Sequence, residues 1–463
     1  MLDITFQSAT SLAQNIRQKK ISVVELIETH IARIETVNPH LNAVVQTAFD
    51  RARQEAKTAD LALAQNKPVG PLHGVPITLK DSLDTIGIVT TWGTTGRRDK
   101  VPMRDATAVS RLRQAGAIIL GKTNTPELTL GGEMDNPVYG RSYNPYDTTK
   151  SPGGSSGGAA AILAAGGSAL DLGSDTGGSI REPAHMCGIA GLKPTFGRIP
   201  ITGHPTVYGL SSIDGFTQIG PMARFVEDLI LTLPLLIGPD GHDPTTVPMP
   251  LGQPSDVDIS QLRIAFYIDG GLSPVETAIA NAILAASQAI AQTGARVTEA
   301  TPVPLARAAE LHRWVMYADR GLWMERILQE AGSASPGPHI GRLLHQAKTA
   351  VLPPLAAILQ ELAQFRRNML TFINNYDAII CPVEPYVALP HGAMVDNIAP
   401  NDWGHMSAYN ITGWPAGSVR VSATDNGLPV GIQVVAKPWR EDIVLAIMKE
   451  LESIFGGYQP PNF

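Results

Sequence analysis

From Ser22 onward, segments of helical periodicity alternate with short apolar runs, and this alternation restricts the possible folds more than any other property of the chain. The first helix opens on a capping box, Ser22-Val23-Val24-Glu25, in which hydroxyl and carboxylate can each satisfy an unpaired backbone donor. Val23, Leu26, Ile27, Ile31 and Ile34 then fall on one helical face. An extended candidate, "LNAVVQT", follows, and then an alanine-rich helix from about Phe49 to Gln65. The apolar strand in "HGVPITLKD" ends in Lys80-Asp81. Helix "TAVSRLRQAG", with Gly116 as its C-terminal cap, and strand "AIILG" repeat the step. Further strands are expected in "LRIAFYI", "DAIICP" and "GIQVVA", and long helices near 275–293, 354–376 and 440–455. Strands separated by helices call for crossover connections, so the pattern predicts an α/β fold around a largely parallel sheet.

Bulk properties narrow the function classes. The chain of 463 residues is 44% hydrophobic and 17% charged, as expected of a soluble globular protein with a large core. Its net charge of −6 argues against a broad basic face for nucleic acid. Two cysteines, Cys187 and Cys381, both with apolar neighbours, exclude a disulfide framework and a cysteine-rich zinc site and are expected to be buried thiols. The N-terminus lacks the apolar core of a signal peptide, and the longest apolar run, "LILTLPLLIG", is too short to span a bilayer. No membrane anchor and a cytoplasmic location are therefore expected. The stretch 238–256, rich in Pro, Gly and Asp, reads equally well as a domain boundary or a long surface loop.

Two glycine-rich clusters each hold a serine. Gly153-Gly154-Ser155-Ser156-Gly157 fits G-x-S-x-G, the nucleophile elbow. An elbow needs an apolar strand before its serine, whereas "GRSYNPYDTTKSPGG" is polar and broken by Pro145 and Pro152. Eleven histidines make a Ser-His-Asp triad numerically available, but no spacing singles one out. A phosphate loop would need a lysine after the glycines, and a dinucleotide fingerprint would need a preceding strand. The plain structural alternative is that these glycines allow tight turns around a buried helix.

The second cluster, Asp175-Thr176-Gly177-Gly178-Ser179, has more of the character of a reaction centre. Its glycine pair can turn successive N–H groups toward one point, beside a serine that would create an oxyanion there. A serine hydroxyl is a weak nucleophile and needs a base. A lysine made neutral by burial can serve, and Lys80, closing the apolar "GVPITLK" strand, is the candidate; a solvated surface lysine is the alternative.

The run "GGSSGGAAAILAAGGSALDLGSDTGGSIREPAHMCGIAGLKPTFGRIP" closely resembles the amidase signature family. The resemblance extends to "PLHGVPITLKDSLDTIG", "GKTNTPEL", "NPVYGRSYNPYD", "GPMARFVEDLILTL", "AYNITGWPAGSVRV" and "GLPVGIQVVAKPWRED", while 240–400 is only loosely family-like. It implies one α/β domain over 1–463, a central mixed sheet covered by helices, with 238–256 as a surface connection. It also implies a Ser-cisSer-Lys triad: Ser179 as nucleophile, Ser155 as the bridging serine after a cis peptide from Gly154, and Lys80 as base. The amides of Thr176, Gly177, Gly178 and Ser179 map onto an oxyanion hole, and Gly154, Asp175 and Arg181 onto the bracing of the site. No metal or organic cofactor is implied.

The expected function is hydrolysis of a small-molecule amide to carboxylate and amine, through an acyl-Ser179 intermediate. Two alternatives remain: the glutaminase subunit of a tRNA-dependent amidotransferase, and a non-catalytic binding protein on the same fold. Against the glutaminase, Asp402, the nearest acidic residue for a glutamine amine, lies out of register. Leu311, Trp314, Tyr317, Trp323 and Met324 fit an amphipathic helix in the core; lining the acyl pocket instead, they would favour hydrophobic or aromatic amides. A homodimer is compatible with the sequence, but no residue specifies one.

Overall fold

The computed structural model describes residues 3–205, 215–393 and 402–462. Eleven strands form one sheet: β1 Val44–Thr47, β2 Pro76–Lys80, β3 Ile118–Thr123, β4 Leu170–Asp175, β5 Ala190–Lys193, β6 Gln218–Ala223, β7 Arg263–Phe266, β8 Arg296–Glu299, β9 Ala378–Pro382, β10 Ala416–Ala423 and β11 Pro429–Ala436. Their spatial order is β1-β3-β2-β4-β6-β5-β10-β11-β9-β7-β8. The expectation of a largely parallel sheet needs correction. Parallel pairing is confined to β3-β2-β4 and β9-β7-β8, and the run from β4 through β9 is antiparallel. The reason lies in strands that the hydrophobic pattern does not mark. β4 "LDLGSD", β6 "QIGPMA" and β10 "AGSVRVSA" carry glycine, proline or polar residues, and β10 turns directly into β11 without a helical crossover.

The helices form where their sequence signals predict. Ser22 Oγ accepts from Glu25 N–H at 3.1 Å, opening helix Val23–Leu41, whose Leu26, Ile27, Ile31 and Ile34 are buried. Helices Phe49–Ala64, Thr107–Gln114, Thr277–Gln292, Leu355–Ile373 and Glu441–Phe455 follow the expected bounds closely. The 238–256 stretch runs mostly exposed from helix Val226–Leu236 toward β7, joining two parts of one sheet. Both cysteines are buried, as expected. Among the described residues no helix is long and apolar enough to cross a membrane.

Two features of this fold place the site. β2 and β4 are parallel neighbours, with Ile77 opposite Leu170, so their C-terminal ends emerge side by side. Helix Gly157–Ala164, buried along its whole length, then packs across the end of β3. Gly158 makes that approach possible: a Cβ there would fall 2.5 and 2.7 Å from N and O of Asn124 and 2.9 Å from Ala43 O, all backbone. Gly158→Ala is therefore expected to lower unfolding stability by about 1–3 kcal/mol, the usual range for overpacking. Gly341→Ala, on a helix with only Pro336 Cγ at 4.0 Å, should be neutral or slightly stabilising in the same urea titration.

Candidate active site

The centre is a lysine amine removed from water. Lys80, fully buried at the end of β2, places Nζ 2.7 Å from Ser155 Oγ, 2.9 Å from Ser174 Oγ, 3.0 Å from Ser156 Oγ and 3.4 Å from Ser174 O. Its first neighbours are hydroxyls, not a carboxylate. Burial therefore dominates and pulls its pKa down to about 7, against the opposing pull of Asp175 and Asp171. Asp171 faces hydroxyls too: it accepts from Thr78 Oγ1 at 2.6 Å and Thr123 Oγ1 at 3.2 Å, and burial raises its pKa to about 7.

Ser155 follows a cis peptide bond from Gly154. It is 1% exposed, and its carbonyl accepts from Thr125 Oγ1 at 3.0 Å. Gly154 lies so close to the backbone of 131–132 that a Cβ would meet Gly131 O at 2.6 Å. Its N–H donates to Glu182 Oε1 at 3.1 Å, a buried carboxyl that sequence reasoning overlooked. Ser179, by contrast, is half-buried and lines an inner pocket of about 80 Å³ together with Gly154, Thr176, Gly177 and Glu182. The two serines thus differ in access. Lys80 and Ser155 lie behind the wall, and Ser179 faces the cavity.

The loop that carries Ser179 is held from the far side. Arg181 makes a two-pronged ion pair with Asp175, Nε to Oδ2 and Nη2 to Oδ1, both at 2.9 Å and both fully buried. Burial pushes the Asp175 carboxyl up, but Arg181 outweighs it and holds the group below the usual carboxylate range. The remaining arginine donors reach Asn410 Oδ1 and Gln433 Oε1 at 2.6 Å and Met406 O at 3.1 Å, tying the loop to the C-terminal segment. Asp175 also accepts from Gly178 N–H at 2.8 Å, Ile180 N–H at 3.2 Å and Asn410 Nδ2 at 2.8 Å. Of the four amides expected to form an oxyanion hole, that of Gly178 has an acceptor within the loop, the Asp175 carboxylate. Among the described hydrogen bonds, the amides of Thr176, Gly177 and Ser179 have no acceptor within the protein.

The amidase family model matches residues 25–445 of this sequence. The chain belongs to that family. It is 33% identical to an acylamidase of Rhodococcus erythropolis, over 96% of this chain and 95% of that protein. It is also 35% identical to a component of the glutamyl-tRNA(Gln) amidotransferase of Nitratidesulfovibrio vulgaris, over 95% of each. The solved structure of 6-aminohexanoate cyclic dimer hydrolase superposes with a TM-score of 0.87 at 28% identity, covering 100% of this chain and 99% of that one. The mixed sheet wrapped by helices is the amidase signature fold, and the chain is an amidase.

A second cavity of this amidase, of about 600 Å³, adjoins the inner pocket. His312, Met316, His339, Leu343 and Trp403 line both spaces. The aromatic stretch, expected as one amphipathic helix, forms two helices, Ala308–Tyr317 and Leu322–Ala331. Leu311, Trp323 and Met324 are buried in the core, Tyr317 is buried and also lines the outer cavity, and Trp314 lines that cavity half-buried. Among the described residues no group of three or more His, Cys, Asp and Glu side chains could hold a metal ion.

Asn410 and Gln433 were not singled out from sequence, although a glutamine inside "VGIQVVA" is a polar interruption of an apolar strand. Arg181→Met leaves Asp175 buried and unpaired, and should cost about 3–5 kcal/mol in urea unfolding. Asn410→Ala should cost about 1–3 kcal/mol in the same experiment.

Proposed function

We propose that this amidase hydrolyses hydrophobic or aromatic carboxylic amides through an acyl-Ser179 intermediate, the whole of 1–463 acting as one domain. The observation that carries the reading is the division of access. Ser179 lines the pocket, while Ser155 is buried 2.7 Å from an amine whose pKa is brought to about 7. A neutral Lys80 accepts the Ser155 hydroxyl proton, Ser155 accepts that of Ser179, and Ser179 Oγ attacks the amide carbonyl carbon. Amides of Thr176, Gly177 and Ser179 stabilise the tetrahedral oxyanion. As the C–N bond breaks, the relay returns a proton to the leaving amine. Water then attacks the acyl ester over the same relay and releases the carboxylate. Substrate preference follows from the apolar walls contributed by Leu130, Met316, Leu343 and Trp403.

A second reading, glutaminase within a tRNA-dependent amidotransferase, is favoured by the 35% identity to the amidotransferase component. A substrate panel separates the two. Benzamide and hexanamide should outrun acetamide and glutamine in kcat/KM, and the reverse order would favour the glutaminase.

Fluorophosphonate labelling with peptide mass mapping tests the nucleophile. Label is expected on Ser179 and should fall at least about 100-fold in rate in Lys80→Ala, within the range for loss of a general base. Label on Ser155, indifferent to Lys80, would sink the assignment of roles. Because the active base is the neutral amine, kcat/KM should rise with pH through about 7 and level off above it. A profile flat from pH 5.5 to 8.5 would contradict Lys80 as base.

A further inference from the structure

We infer that His312 is a positioning residue for the oxyanion hole, an inference that rests on reading Ser179 as the nucleophile. His312 lies on helix Ala308–Tyr317, outside both glycine clusters, and is 5% exposed. Its Nε2 is 2.9 Å from Thr176 O. A carbonyl can only accept, so Nε2 carries the proton and donates. Burial lowers the ring's pKa, which keeps it neutral with Nδ1 bare.

Thr176 C=O and Gly177 N–H belong to one planar trans peptide and point in opposite directions. Fixing the carbonyl therefore fixes the amide. His312 thus sets the direction of one of the N–H groups left without an acceptor in the protein. Without the ring, Thr176 O would lose this donor, and the peptide plane would be free to rotate Gly177 N–H away from the reacting oxygen.

The surroundings of His312 suit that task. Its ring stacks on buried Phe216, with centroids 5.5 Å apart and planes at 26°, so its orientation is constrained independently of the hydrogen bond. Phe216 O accepts from Asn410 Nδ2 at 3.3 Å, linking the ring's support to the Asp175–Arg181 network. On the other side of the peptide, Thr176 Oγ1 and Thr217 Oγ1 are 2.8 Å apart. The ring also lies 3.4–3.5 Å from where a Cβ on Gly177 would be. One turn further along the same helix, Met316 lines the inner pocket, so acyl-chain packing and oxyanion geometry are set by one rigid element.

The test compares His312→Gln, whose amide nitrogen can reach the position of Nε2, with His312→Asn, which falls short, and with His312→Phe, which keeps the stacking ring but no donor. Each is measured for kcat and KM on hexanoyl p-nitroanilide and for the rate of fluorophosphonate labelling at Ser179, with melting temperature as the check of fold. In His312→Asn and His312→Phe, kcat and labelling rate should fall by about 100-fold, the usual effect of losing one oxyanion donor, with KM within about threefold. His312→Gln should recover at least about tenfold of that loss. Equal losses in Gln and Asn variants, a change confined to KM, or unfolding of all three would assign the ring to packing and overturn the inference. Absence of label on wild-type Ser179 would instead remove the nucleophile reading on which it rests.

Discussion

An amine buried from solvent, with no carboxylate at contact distance among the described residues, is the constraint around which this protein is organised. A buried lysine that keeps its charge needs a counterion at contact distance, and one that loses it needs only hydrogen-bond partners. Lys80 has the second kind of environment, with three serine hydroxyls within 3.0 Å and the carboxylates of Asp171 and Asp175 acting from further off. Those hydroxyls come from two places separated in sequence, the loop at 155–156 and the end of strand β4 at 174. Bringing them to one nitrogen requires the parallel pairing of β2 with β4 and the close packing of the alanine-rich helix, which in turn requires glycine at 158.

A second buried charge does the opposite work. Asp175 and Arg181 satisfy each other in a fork geometry, and their leftover donors and acceptors are used by Gly178, Met406, Asn410 and Gln433. Such a pair is a poor source of net stability but a strong specifier of position, since any other arrangement leaves a charge unmatched in the interior. Here the partners are Asn410 and Gln433, drawn from the last quarter of the chain. The glycine loop near residue 177 is therefore complete only when β11 has been added to the sheet.

The sequence was most legible where local rules are strong. The capping box at Ser22 and the one-sided apolar spacing after it placed the first long helix, and the apolar strand ending in Lys80 flagged a lysine carried into the interior. The glycine clusters marked Ser155 and Ser179, and resemblance assigned them different roles. Strands β4, β6 and β10 were not legible, because buried polar and small residues replaced the apolar run that marks a strand. Those same polar residues, Asp171, Ser174 and Asp175 among them, are what equip the site. Gln433 and Asn410 were missed for a related reason: a buried amide that serves an arginine distant in sequence leaves no local periodicity. His312 sits on an ordinary amphipathic helix, where its spacing matches that of its apolar neighbours.

The strand order has one further consequence. Residues 300–377 leave the sheet after β8 and return at β9, and these two strands flank β7 at one edge. The excursion supplies much of the cavity wall, running from the C-terminal end of β8 to the N-terminal start of β9 as a helical crossover with no strand of its own. Because His312 on this excursion bonds to Thr176 O, the cavity wall and the glycine loop near residue 177 are joined and do not vary independently. An excursion lengthened, shortened or exchanged would leave Lys80 and the Asp175–Arg181 pair in place, but it would keep its hold on the glycine loop only with a donor at the position of His312 Nε2.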